Sequence, residues 1–151
     1  MNLEKIYLER CDKETEETVE IESPKFLDTS ISYFKKHLNE FLYIESSTFN
    51  EIKVDALSIE VDDVFRTYMA LFGLRAQKKH GEAIKNYLEE HLYTDAIKNY
   101  SALFSADEGL WEINLPLDYI EGFKEDMTIG QAISLTYDFV QNLLGHLQEN
   151  K

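Results

Sequence analysis

Val61-Asp-Asp-Val-Phe-Arg-Thr-Tyr-Met-Ala-Leu-Phe-Gly-Leu-Arg-Ala76 is the stretch on which the reading of this chain turns. Val64, Phe65, Tyr68, Met69, Leu71, Phe72 and Leu74 run through it with few polar breaks. That density predicts a helix apolar around most of its circumference, and such a helix is buried at the centre of a domain. His80-Gly81 ends it.

Toward the N-terminus, Ser23-Pro24 reads as a helix start, because serine caps free N–H groups and proline loses no hydrogen bond at the first helical position. Leu27, Ile31, Phe34, Leu38 and Phe41 follow at alternating spacings of four and three, which predicts a helix over 25–44 ended by Ser46-Ser47-Thr48. Residues 49–60 stay open between strand, loop and helix, with Ile52, Val54 and Ala56 alternating. Toward the C-terminus one helix carries Ile84, Tyr87, Leu88 and Leu92. Thr94 caps the next, with Ile97, Tyr100, Leu103 and Phe104. Thr128 caps the last, where Ile133, Tyr137, Val140, Leu144 and Leu147 form one stripe. The pentapeptide Ala-Ile-Lys-Asn-Tyr occurs at 83–87 and again at 96–100. Two short copies make no solenoid.

Strand signals are fewer. Ile6 and Leu8 form one short run, and residues 2–10 also read as helix. Val19 and Ile21 alternate with Glu20 and Glu22, and the polar stretch Asp12 to Glu17 joins the two runs as a hairpin. Trp111, Ile113 and Leu115 alternate with Glu112, Asn114 and Pro116, and the proline places that strand at an edge or at its own end. The expectation is therefore a single α+β domain over 1–151, helix-dominated, with four or five helices against a small antiparallel sheet from 4–10, 17–23 and 110–116. An all-α bundle is the alternative. Phe34, Phe65, Tyr68, Phe72, Trp111, Val140 and Leu144 are the expected core.

Charge carries the functional reading. The chain of 151 residues has 29 Asp+Glu against 15 Lys+Arg, a net −14. Residues 1–23 hold a net −5 and residues 101–151 a net −7, whereas 61–100 are neutral. Affinity for phosphate backbones and anionic lipid comes from Lys and Arg, so the balance excludes nucleic acid and membrane surfaces as ligands. It favours a basic protein partner, with Glu16, Glu17, Glu20, Glu125 and Asp126 as the candidate contact surface. The one local cationic cluster, Arg75, Lys78, Lys79, His80 and Lys85, is the candidate anion patch.

Other chemistry is poorly supported. His37, His80, His91 and His146 lie in four segments, and no pair has the i, i+4 spacing of a helical zinc motif. His37 and Glu40 are half of a carboxylate-bridged metal site whose other half, among Glu89, Glu90 and His91, has the wrong spacing. Cys11 is the only cysteine and stands in acidic surroundings, which oppose a reactive thiolate. The glycines are too scattered for a phosphate loop, and no Gly-x-Ser-x-Gly elbow occurs. No catalytic, cofactor-binding or metal-ligating residue is nominated, and no cofactor is expected. The N-terminal residues lack a signal-like apolar run. The longest charge-free stretch, Met127 to Tyr137, is well short of the ~20 residues of a membrane span, so the expected compartment is the cytoplasm. Small acidic proteins that neutralise a toxin or nuclease share this charge and size, a likeness of composition with no motif behind it. The functional expectation is a non-enzymatic acidic protein-binding domain of the inhibitor, immunity-protein or adaptor type. The alternatives are a small enzyme with a site assembled from dispersed His and Glu residues, and an oligomeric structural or regulatory protein.

Overall fold

The computed structural model describes residues 5–149. Its centre is a seven-stranded antiparallel sheet, not a helix. The strands are β1 (Tyr7–Asp12), β2 (Thr18–Glu22), β3 (Glu40–Glu45), β4 (Val54–Val61), β5 (Tyr68–Leu74), β6 (Ser101–Ser105) and β7 (Leu110–Pro116). They lie in the order β2-β1-β3-β4-β5-β7-β6. Helices α1 (Tyr33–Lys36), α2 (Gly81–His91) and α3 (Ile129–Glu149) complete the regular structure, with short 3-10 turns between them.

The helix-dominated fold with four or five helices is thus overturned, and so is the all-α bundle. The correction begins at the stretch 61–76. Asp62 Oδ1 accepts the backbone N–H groups of Val64 at 2.8 Å and Phe65 at 2.7 Å. Arg66 adopts the left-handed conformation (φ 59°), and its N–H returns to the Asp62 carbonyl at 2.9 Å. The chain reverses there, and β5 runs back against β4 in register Val61↔Tyr68, Ile59↔Ala70 and Leu57↔Phe72. β5 lies between β4 and β7, and nearly all of its side chains, on both faces of the sheet, are buried. A strand covered on both faces has no reason to alternate, so its apolar run is indistinguishable by period from a buried helix. Val64 and Phe65, placed in the helix by spacing, stand exposed at the hairpin tip instead, at 81% and 47%.

The expected helix over 25–44 also dissolves. It is replaced by a 3-10 turn at Pro24–Asp28, the four-residue α1, and β3. Backbone bonds to a distant segment replace the helical ones: Ile31 N–H donates to Met127 O at 3.0 Å, and Ile129 N–H to Thr29 O at 2.8 Å. Ile31 and Phe34 still reach the core and are fully buried. The four–three spacing described an inward-facing set of side chains, satisfied without a helix. Likewise the helix expected after Thr94 is a loop followed by β6, and Thr94 Oγ1 closes a local turn with the Ala96 N–H.

Other readings agree with the structure. Strands occupy 18–22 and 110–116, and the first strand lies at 7–12, displaced from the expected 4–10. Residues 1–4, which that strand expectation and the helical option over 2–10 include in part, lie outside the described residues. α2 begins at Gly81, where a Cβ would come 2.6 Å from the Trp111 ring. At α3 a reciprocal cap forms: Thr128 Oγ1 accepts the Gln131 N–H at 3.1 Å, and Gln131 Oε1 accepts the Thr128 N–H at 2.9 Å. α3 packs with α2 and with the turns at Pro24–Asp28 and Ser47–Ile52. The core joins Leu42, Ile44, Leu57, Ile59, Tyr68, Phe72, Ile113 and Leu115 of the sheet to Ile84, Leu88, Ile133 and Val140 of the helices. Of the expected core, Phe34, Tyr68, Phe72, Trp111 and Val140 are buried, Leu144 is partly buried, and Phe65 is outside.

Candidate functional site

Strand direction sorts the charged loops onto two ends of the sheet. At one end stand the β1–β2 connection, the β4–β5 connection and the segment after β7, because Asp12 pairs with Glu40, Val61 with Tyr68, and Met69 with Pro116. At the other stand Lys53 and Arg75, joined by a 2.9 Å bond from the Arg75 N–H to the Lys53 carbonyl.

The first end is acidic. Its three connections carry Asp12, Glu14, Glu16, Glu17, Asp62, Asp63, Asp118, Glu121, Glu125 and Asp126, against Lys13, Arg66 and Lys124. Two of these loops are built alike. Asp12 Oδ1 accepts the N–H groups of Glu14 (2.9 Å) and Thr15 (3.0 Å), with Glu16 left-handed at φ 62°, as Asp62 and Arg66 do in the other loop. The aspartates are spent on holding the turns. Those N–H donors hold the Asp12 carboxyl below its ordinary value. Lys13 bridges the two loops, donating to Val61 O at 2.6 Å and to Asp63 at 3.2 Å. On the third connection, the Glu125 carboxylate accepts Lys35 Nζ at 2.7 Å and Tyr68 Oη at 3.2 Å, and the Lys35 bond lowers its pKa. Burial instead raises the Asp118 carboxyl, which accepts the Tyr68 N–H at 2.6 Å. Among these acids Val64 and Phe65 are open to solvent.

Of the sequence-derived contact residues, Glu16, Glu17, Glu125 and Asp126 lie on loops of this one end. Glu20 does not join them: it sits on the edge strand β2, opposite Arg10. Sequence reading passed over Asp63, Val64 and Phe65, which it had placed in a helix. The signal available was the Asp–x–x–x–x–Thr spacing from Asp62 to Thr67, a turn-forming aspartate ahead of a strand.

The other end holds a local cationic cluster beside the acids Glu51, Asp107 and Glu108. Lys53, Arg75 and His80 line a cleft of about 540 Å³ together with Gln77, and α3 supplies its far wall through Gln141, Leu144, Gly145 and Gln148. From the candidate anion patch, the structure brings Arg75 and His80 into this wall. It leaves Lys78, Lys79 and Lys85 exposed outside it, and adds Lys53, which charge clustering along the sequence could not supply.

A third cluster is structural. Arg10 donates to Glu22 at 2.7 Å, to Glu40 at 3.1 Å and to Tyr33 Oη at 2.9 Å, while Tyr33 Oη donates to Glu40 at 2.8 Å and its ring stacks on His37. Burial opposes the Arg10 charge, but the bonds to Glu22 and Glu40 outweigh it and the pKa rises. This network fastens α1 and β3 to β1. Among the described residues no group of three or more His, Cys, Asp or Glu side chains is arranged to hold a metal ion. No helix among them is long and apolar enough to cross a membrane. Compared with known proteins, the chain matches no family model, no curated protein and no solved structure.

Proposed function

We propose that this chain is a non-enzymatic protein-binding domain of the inhibitor, immunity-protein or adaptor type. Its acid-rich loop end takes a basic protein partner. The observation that carries the reading is the gathering of three acidic connections around the exposed Val64 and Phe65. Interfaces typically join a small apolar centre to a charged rim. The rim steers encounter with an oppositely charged surface and raises association rates by about one to three orders of magnitude at low salt. The apolar tip, once desolvated, slows release. The aspartates at the loop starts hold the tip in a fixed shape before contact, so little ordering is left for binding to impose.

The test is affinity capture from the source cell at low and at high salt, followed by association kinetics with the captured protein. Reversing Glu16, Glu17, Asp63 and Asp126 to Lys should slow association at least tenfold at low salt, and the difference should shrink toward nothing as salt screens the field. Phe65→Ala should speed dissociation and leave the on-rate alone. An on-rate indifferent to both the reversals and the salt removes the acidic end from the function.

A further inference from the structure

We propose that the cationic cleft between α3 and the Lys53–Arg75 end of the sheet binds a phosphate ester of a small, hydroxyl-rich molecule. This site is separate from the acidic end and does not depend on it. Three observations converge. First, Lys53 and Arg75 form no ion pair with a protein carboxylate among the described residues, although Glu51 shares their wall. The ion pairs among the described residues involve Arg10, Lys13, Lys35 and Lys98, none of which lines this cleft. Glu51 is the one carboxylate in the wall, and its Oε2 is held by Tyr137 Oη at 2.7 Å. Two cations on one wall can share the oxygens of one anion through charge-assisted hydrogen bonds.

Second, α3 carries Gly145 in this wall, in the body of a helix, although a Cβ there would meet nothing within 4 Å. Neither packing nor a positive φ requires that glycine. Alanine would suit the helix better. The missing side chain leaves the helix backbone open to the cleft. Third, Gln77, Gln141 and Gln148 ring the cleft with neutral amides, each offering donors and an acceptor suited to hydroxyl groups. The volume, about 540 Å³, falls in the range of small-molecule sites, roughly 300–1,000 Å³. Arg75 and Lys53 would take the phosphate oxygens, and the glutamines the polar body.

The test uses the whole chain with ribose 5-phosphate, inorganic phosphate and ribose as probes, read by calorimetry and by melting temperature. Ribose 5-phosphate should bind and raise the melting temperature, inorganic phosphate should bind at least tenfold more weakly, and ribose should not bind. Arg75→Gln and Lys53→Gln should each weaken ribose 5-phosphate at least tenfold without lowering the melting temperature of the free protein. Gly145→Leu should melt at the same temperature or higher and still lose binding, which separates a blocked cleft from a damaged fold. Lys124→Gln, at the opposite end, should bind as the wild type does. Absence of binding by the wild type at 10 mM probe (about 3 kcal/mol or weaker), or equal affinity in wild type and Gly145→Leu, overturns the proposal.

Discussion

Arg66 holds a conformation that L-residues adopt only at a cost, φ 59°, so that Asp62 can close the hairpin behind it. Glycine relieves that strain but loosens the unfolded chain, and the two effects largely offset. Arg66→Gly should therefore be neutral or stabilising by up to about 1 kcal/mol, whereas the β-branched Arg66→Val should cost more than about 1 kcal/mol in urea unfolding. Cys11 is a second informative residue. Burial, with help from Glu9, pushes its thiol up to about 11. At pH 8 only about one thiol in a thousand is then ionised, and alkylation by iodoacetamide should be far slower in the native protein than in urea. Native labelling at the denatured rate would mean that Cys11 is open to solvent. Asp118 gives the pH test. Burial raises its folded pKa above the unfolded 3.8, so its contribution to stability is fully present below 3.8 and lost as pH rises through the folded value. Relative to Asp118→Asn, the wild type should gain stability as pH falls through the raised folded value toward 3.8. Parallel curves would mean that the carboxyl is not desolvated.

For the elements, the deciding comparison lies inside the stretch 61–76. A central helix would bury Phe65 and Phe72 together; the hairpin buries Phe72 and exposes Phe65. Phe72→Ala should cost about 3–5 kcal/mol, and Phe65→Ala should stay within about 0.5 kcal/mol. Two similar large losses would restore the helix. The hairpin also depends on its first residue: Asp62→Ala leaves the Val64 and Phe65 N–H groups without their partner and should cost about 1 kcal/mol, with Asp62→Asn retaining most of it. α2 and α3 could be read in advance because each buries one face only, so period and burial coincide. The reciprocal cap at Thr128 and Gln131 marks the start of α3 in the sequence as plainly as in the structure. β7 was readable for the matching reason, since its alternation records one covered face and a partly open one, whereas β2 alternates in sequence although Val19 and Ile21 are both exposed on the edge strand.

Over the whole molecule, charge that is scattered along the chain is regrouped in space. Acids from the two termini and from the middle meet at one end of the sheet, and Lys53 and Arg75 meet at the other, where Glu51, Asp107 and Glu108 also stand. Sequence could weigh the total, and it placed Glu16, Glu17, Glu125 and Asp126 among the contact candidates by arithmetic on the termini alone. Nothing in the order of residues said that Asp62 and Asp63 would stand beside them. Their position follows from β4 and β5 pairing antiparallel, a contact between segments on either side of a turn that spacing had hidden.

By itself the sequence determined the acidic balance, the absence of familiar catalytic motifs, the amphipathic helices α2 and α3, and the alternating strands β2 and β7. Each of these is a local or additive property: charge sums, and a half-buried element repeats with its own period. The tertiary structure alone decided that Tyr68–Leu74 is a strand, that 25–44 is not a helix, and that Lys53 belongs with Arg75 and Gly145. These depend on what covers a segment from both sides and on which distant backbone groups accept its hydrogen bonds. A residue's neighbours in the chain do not carry that information.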